Sequence, residues 1–154
     1  MEVAEVVFSS LVQGVYVVTT RVGDIVNGMT AAWVSQVSFK PLLVMVSIAP
    51  PRYSHGLIKK SGSFAINVLT SEQTDLGKRF GYKSGRKVDK FAGLEYLTGI
   101  TGAPLLPQAY AYLELKLVDT FSAGDHDLFV GEVLDARILH PQAKPLMFIK
   151  SDYF

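Results

Sequence analysis

Residues 111–118, AYLELKLV, carry the most regular pattern in the chain. Tyrosine, glutamate and lysine side chains alternate there with three leucines, which is a period of two. Successive side chains of a β-strand point to opposite faces, so this period is typical of a strand. We expect the leucines to face a core and the polar side chains to face water.

Segments rich in β-branched and aromatic residues predict further strands on both sides of this one. They are residues 14–21, 29–39, 42–49, 64–69, 127–139 and 145–150. The turn-like VGDIVNG between the first two predicts a hairpin. The almost wholly apolar 42–49 predicts a strand buried on both faces, and Gly131 marks an expected bulge or bend within 127–139.

Two short helices are expected between the strands. Residues 54–61 follow a Pro-Pro break, with Ser54 as a candidate cap and Gly62 as the end. Residues 71–80 form the second, partly capped by Ser71. About seven strands joined by short turns predict a mainly β fold, a closed antiparallel split β-barrel of Greek-key type with a few short peripheral helices.

Composition limits the function classes. The chain has 154 residues, few enough for a single domain spanning 1–154. Fifteen basic and 14 acidic residues give a net charge of +1, so nucleic acid is not an expected partner. There is no cysteine, which excludes disulfides and thiol chemistry. No leader pattern or membrane span is expected, and we predict a cytoplasmic protein.

Motifs of several common chemistries are missing. The sequence has no GxGxxG after a strand, no Walker A loop, no GxSxG elbow and no HExxH. The three histidines, His55, His126 and His140, lack ligand spacing, so no metal site is expected. A serine hydrolase built on Ser54 and His55 is disfavoured because adjacent residues do not readily form a nucleophile–base pair.

The most informative segment is residues 27–33, NGMTAAW, where small side chains follow one another at a strand entry. A flat ligand such as an isoalloxazine could lie against this uncrowded backbone and exchange hydrogen bonds with it, with Trp33 as a wall. The alternative is that Thr30, Ala31 and Ala32 are small because a helix or a second subunit packs there.

Two shorter clusters complete the candidate site. Ser47 and the segment PPRYSH at 50–55 resemble an anion site, because a helix start, the Ser54 hydroxyl and the Arg52 guanidinium all suit a phosphate. The other reading is a capped helix with a surface arginine. The turn Gly124-Asp125-His126 places a histidine that could contact a flavin or nicotinamide, or that is simply solvated.

These clusters, in this order, resemble the flavin reductase-like family of FMN-binding split barrels. The resemblance covers most of the chain. Around TAAWVSQVSF and RYSH the sequence is more similar to the flavoredoxin-like and rubredoxin-linked members of the family than to its two-component reductases. It is carried by the segments GVYVVTT (14–20), NGMTAAWVSQVSFKPLLVMVSI (27–48), RYSH (52–55) with KKSGSFAINVL (59–69), GRKVDKF (85–91) and GDHDLFVGEV (124–133).

The resemblance implies an FMN site near the interface of a homodimer. Residues 27–33, among them Asn27, Met29, Thr30, Ala31, Ala32 and Trp33, would hold the isoalloxazine. Ser47, Arg52, Ser54 and His55 would surround the ribityl chain and phosphate, with Lys90, or alternatively Lys87, as a further cation. His126 would lie beside the ring where the nicotinamide arrives, as the residue nearest the chemistry, and Tyr153 and Phe154 would lie against the flavin.

The function expected from this resemblance is an NAD(P)H-dependent flavin reductase, in which NADH or NADPH passes a hydride to N5 of FMN. The alternative is a non-enzymatic FMN electron-transfer protein that relays electrons between partner proteins, so a redox partner protein is possible. A third reading is a flavin-free β-barrel dimer. An aromatic wall such as Trp33 favours tight retention of the flavin.

Overall fold

A computed structural model describes residues 3–154 as one large antiparallel sheet with three α-helices. The strands of the sheet occur in the order β2-β1-β5-β8-β9-β4-β3, and β6 pairs with β7 separately. The elements are α1 Val3–Ser9, β1 Tyr16–Val22, β2 Ile25–Ala31, β3 Val34–Ser38, β4 Leu43–Ile48, α2 Tyr53–Ser61, β5 Ser63–Val68, α3 Thr74–Gly81, β6 Leu97–Thr98, β7 Pro104–Leu105, β8 Ala111–Ala123, β9 His126–Ile138 and a 3-10 turn Lys150–Asp152.

The strands of the sheet share the largest of three hydrophobic core clusters. Buried side chains from six strands, β1, β2, β4, β5, β8 and β9, form a single cluster, and Val34 of β3 packs against it. The predicted mainly β antiparallel fold is therefore confirmed. The hydrogen-bonded order nevertheless ends at β2 on one side and β3 on the other, so the closed barrel is not confirmed.

The strand predicted at 29–39 is wrong in one respect, because it is divided in two. β2 ends at Ala31 and pairs with β1, completing the predicted hairpin around Gly23, whereas β3 begins at Val34 and pairs with β4. At the break, the Val34 amide donates to the Ala32 carbonyl at 3.1 Å and the Ser47 amide donates to the Trp33 carbonyl at 3.0 Å. This bend takes Ala32 out of the β1–β2 ladder, while Trp33 stays bonded to β4 through its carbonyl.

Two predictions about strand burial are wrong. β4 is buried on one face only, since Met45 and Ser47 are half-buried beside an open groove. On β8 the polar face lies only partly in water, because Lys116 is exposed whereas Tyr112 is buried and Glu114 is only 1% exposed. Its carboxylate accepts hydrogen bonds from the backbone amides of Ile100 and Thr101 and from the Thr101 hydroxyl.

Gly131 lies where β8 and β9 are most tightly packed. A Cβ at this position would stand 2.8 Å from both the Cβ of Leu115 and the Cζ of Phe64. The ladder is irregular at two places, at Leu134 within the predicted segment 127–139 and at Val118 on the facing strand, opposite Gly131. The glycine is therefore required by close approach of the strands.

The helices agree with the sequence in part. α2 ends at Gly62 as predicted, with the glycine in the left-handed region at φ 74°. Ser54 is not its cap, and α3 begins at Thr74 rather than at Ser71. Residues 145–150 form isolated bridges and the start of a 3-10 turn instead of a strand. Within residues 3–154, no helix has both the length and the apolar character needed to cross a membrane.

Candidate functional site

A cavity of about 470 Å³ opens beside the end of β2, a size typical of small-molecule sites. Ten residues proposed from the sequence line it, and they come from β2, the bend after it, β4, the loop before α2, β9 and the C-terminal segment. They are Met29, Thr30, Ala31, Ala32, Trp33, Ser47, Arg52, His126, Tyr153 and Phe154.

The side chains at positions 30–32 are small for different reasons. Thr30 packs beneath α3, with its hydroxyl donating to the Gly77 carbonyl at 2.5 Å and with Gly81 close to its Cβ. Ala31 and Ala32 continue beyond the helix and border the cavity. Helix packing thus accounts for the small side chain at Thr30, core packing contributes at Ala31, and open space accounts for the small side chain at Ala32.

An aromatic pair stands at the mouth of the cavity. Trp33 is 49% exposed, and its ring centroid lies 4.8 Å from that of His126. Nδ1 of His126 is 2.7 Å from a carboxylate oxygen of Asp125, and this bond holds the pKa of that carboxyl below its usual range. Because Nδ1 is engaged by Asp125, Nε2 is the ring nitrogen that remains for a ligand.

The opposite wall comes from the C-terminal segment, in which Tyr153 and Phe154 were proposed from the sequence and Phe148 was missed. The rings of Phe148 and Tyr153 stack at 5.4 Å, and the Tyr82 hydroxyl donates to the Tyr153 carbonyl at 2.7 Å. The Tyr153 hydroxyl is buried without a hydrogen-bond partner among the residues described. Burial raises the pKa of this phenol, with Asp152 adding to the effect.

A second, smaller cavity of about 230 Å³ adjoins the first, and Met29 and Arg52 line both. Asn27 and Ser54 line the second cavity as well, joined by a buried hydrogen bond of 2.8 Å from the Asn27 amide to the Ser54 hydroxyl. Its cationic lining residues are Arg52, Lys83, Arg86 and Lys90. No carboxylate is among the described residues that line it, so the cavity suits an anion.

Lys90 is the buried cation of this group. Its ammonium donates to the backbone carbonyls of Gly28 at 2.9 Å and Phe80 at 3.0 Å. Burial, together with the smaller effect of the nearby positive charge of Arg52, lowers the pKa of Lys90 to about 8. An anion bound between these two cations would offset both effects.

Two residues proposed from the sequence lie away from these cavities. Lys87 lines a neighbouring cavity of about 390 Å³ together with Asp24 and Asp89. His55 faces Asp127 instead, as described below. Lys83 and Arg86 were missed, because a run of lysines and arginines in a loop reads as a solvated surface. In the portion described, no group of three or more metal-binding side chains is found.

These features define a β-sheet protein with adjoining sites for a flat group and an anion. The model of the flavin reductase like domain matches residues 8–154, and the chain belongs to that family. It is 39% identical over 141 residues to the high molecular weight rubredoxin of Moorella thermoacetica, covering 90% of this chain and 61% of that one. The chain thus spans less than two thirds of that relative.

Two further comparisons agree with this family assignment. The ferric-chelate reductase (NAD(P)H) of Archaeoglobus fulgidus is 37% identical over 134 residues, covering 86% of this chain and 79% of that one. Among solved structures, the FMN-binding protein of Thermus thermophilus superposes with a TM-score of 0.84 at 34% identity, covering 93% of this chain and 85% of that one. The family recognised from the sequence segments is therefore confirmed.

Proposed function

We propose that this chain binds FMN and acts as an NAD(P)H-dependent flavin reductase. The observation that carries the proposal is the pair of joined cavities, one apolar and walled by Trp33, the other lined by four cations. An FMN has a flat tricyclic ring at one end and a phosphate at the other, so its two ends match the two cavities in character.

The ring end is assigned to the larger cavity. Residues 29–33 would border the ring with backbone groups and small side chains, and the side chain of Trp33 would cover part of it. Phe154 would lie at the open edge, where it is exposed.

The phosphate end is assigned to the smaller cavity. Arg52 supplies a forked, permanently charged donor group, and Ser54 supplies a hydroxyl held in place by Asn27. Lys90 supplies a buried positive charge. Lys87 is a more distant cation in this assignment, and Ser47 would lie between the ring and phosphate ends.

FMN, when bound, supplies the ability to accept a hydride from a nicotinamide. The protein's part is to orient the two molecules and to exclude water from between them. We assign the nicotinamide position to the mouth of the larger cavity beside His126, whose free Nε2 could donate to or accept from the carboxamide. No side chain is required to act as an acid, base or nucleophile.

The proposal is tested in two measurements. The chain has a single tryptophan, so quenching of its fluorescence during an FMN titration reports occupation of the cavity that Trp33 lines. Rapid anaerobic mixing of the FMN complex with NADH and, separately, with NADPH then follows bleaching of the flavin absorbance. Saturable quenching and fast bleaching with one nucleotide are expected. A protein that binds no FMN would refute the proposal.

An electron carrier is the second candidate. Its support is that one relative of this chain is a high molecular weight rubredoxin, of which the chain matches only a part. In this case the bound FMN is reduced by a protein partner. Slow bleaching with both nucleotides, together with fast reduction by a separate reductase, would favour the carrier over the reductase.

We also propose that the chain forms a homodimer. Helix α1 has no buried residue, and it borders a groove of about 750 Å³ whose apolar lining includes Phe8, Leu11, Val12, Met45 and Leu128. Trp33 lines both this groove and the ring cavity, so a second copy seated here would complete the site. Light scattering should give twice the chain mass, and Phe8→Asp should give the monomer.

The split-barrel form of the sheet is part of the same proposal. Its support is that side chains from β1 to β5, β8 and β9 share one core although β2 and β3 are not hydrogen-bonded to each other. Protection of the β2 and β3 amides from hydrogen exchange in the assembled protein would support closure. Rapid exchange along both strands would contradict it.

A further inference from the structure

The shortest side-chain contact between α2 and the sheet joins His55 to Asp127. Nε2 of His55 lies 2.6 Å from a carboxylate oxygen of Asp127, and both side chains are largely buried, 11% and 20% exposed. The imidazole also meets the ring of Phe129 edge to face, with centroids 4.9 Å apart. Among residues 3–154, no other side-chain hydrogen bond joins α2 to β9.

Each partner of this pair is next in sequence to a residue of the proposed site. His55 follows Ser54, whose hydroxyl accepts from Asn27 in the anion cavity. Asp127 follows His126, which lies beside Trp33 at the mouth of the ring cavity. Successive side chains on a strand point to opposite faces, so His126 can face the ligand while Asp127 faces α2.

The loop before α2 continues from β4, whose last residue, Ile48, pairs with Asp127 in the β4–β9 ladder. The loop is also held from the side, where the Pro51 carbonyl accepts a hydrogen bond from Arg86 at 2.9 Å. To these attachments the His55–Asp127 contact adds a direct side-chain link between the start of α2 and the start of β9.

We propose that His55 and Asp127 form a positioning pair that fixes the start of α2 to the start of β9. The pair touches neither end of the ligand itself. It holds the anion cavity at a set distance and orientation from the ring cavity, so that a molecule with a ring and a phosphate can occupy both. This inference rests on the proposed function, since it concerns the two ends of that site.

The test compares two ligands that differ only in the phosphate, FMN and riboflavin, by quenching of tryptophan fluorescence. In the variants His55→Leu and Asp127→Ala, FMN should bind about tenfold more weakly. This is the effect expected when a displaced anion cavity loses one charge-assisted hydrogen bond to the phosphate. Riboflavin binding should stay within about twofold of wild type. The double variant should be no weaker than either single variant.

A rescue variant and a matched control separate positioning from general damage. His55→Gln keeps a donor close to Nε2 and should bind FMN nearly as the wild type does. Thr101→Val removes a buried hydrogen bond to Glu114, far from both cavities. It should lower the melting temperature without changing the ratio of FMN to riboflavin affinity.

Equal losses for the two ligands, or additive effects in the double variant, would overturn the inference. If His55→Leu does not fold by circular dichroism, Asp127→Ala decides, because its side chain is partly exposed. A wild-type protein that binds neither flavin refutes the proposed function, whereas variants that bind FMN as the wild type does refute only the positioning pair.

Discussion

The centre of the sheet and the open end of β2 both contain small residues, but the surroundings differ. At Gly131 a single added carbon would stand 2.8 Å from the Cβ of Leu115 and from the ring of Phe64. At Ala31 and Ala32 the chain borders a cavity of about 470 Å³. A glycine at a close approach serves stability, whereas small residues beside empty space leave room for a ligand.

The largest effect is expected at Gly131, where an added carbon meets two buried side chains of the core. Gly131→Ala should lower the free energy of unfolding by about 2 kcal/mol, because the methyl group must displace Leu115 and Phe64. Denaturant unfolding followed by circular dichroism measures it. An unchanged midpoint would mean that the strands separate there at little cost, and would remove the contrast between the two regions.

At the open end, loss of a cation should alter binding and leave stability unchanged. Arg52→Ala should weaken FMN binding about thirtyfold, through loss of charge-assisted hydrogen bonds to the phosphate, with no comparable change for riboflavin. Lys60→Ala, at the far end of α2, is the matched control and should change neither affinity. Equal weakening of riboflavin binding would place the phosphate elsewhere.

The pH dependence of FMN binding tests whether Lys90 lies at the phosphate end of the ligand. In the free protein the pKa of Lys90 is lowered to about 8, mainly by burial. A bound phosphate favours the charged ammonium and raises this pKa, so above pH 8 binding requires uptake of a proton. FMN affinity should be level from about pH 7 to 8 and fall by up to about tenfold over the next pH unit.

The matched variant for this titration is Lys90→Met. It should bind FMN more weakly than the wild type, and its affinity should be level over the same pH range. A wild-type affinity that rises between pH 8 and 9 would contradict the assignment of Lys90 to the phosphate end.

The smallest effect is expected at a glycine with open surroundings. Gly56 lies within α2, and a Cβ there meets no heavy atom within 4 Å. Gly56→Ala should raise the free energy of unfolding by about 0.5 kcal/mol, since alanine has the better helix propensity and a less flexible unfolded chain. A destabilisation in the same unfolding assay would show that the helix surface is in contact with something else, such as a second copy.

Patterns of neighbouring residues determined most of the sheet. The alternation at 111–118 and the β-branched segments predicted five of the main strands at nearly their observed positions, and the glycine at 62 predicted the end of α2. These features depend on contacts within a few residues, which the order of side chains specifies. The segment 27–33 likewise predicted lining residues of the larger cavity.

Only the tertiary structure decided which residues meet across the fold. The burial of Glu114 depends on the 99–101 loop that covers it, and the contact of His55 with Asp127 joins positions 72 residues apart. The addition of Lys83 and Arg86 to the anion cavity depends on how their loop folds over β2. Sequence patterns encode local periodicity, whereas charge and space at a site are set by long-range packing that no short pattern records.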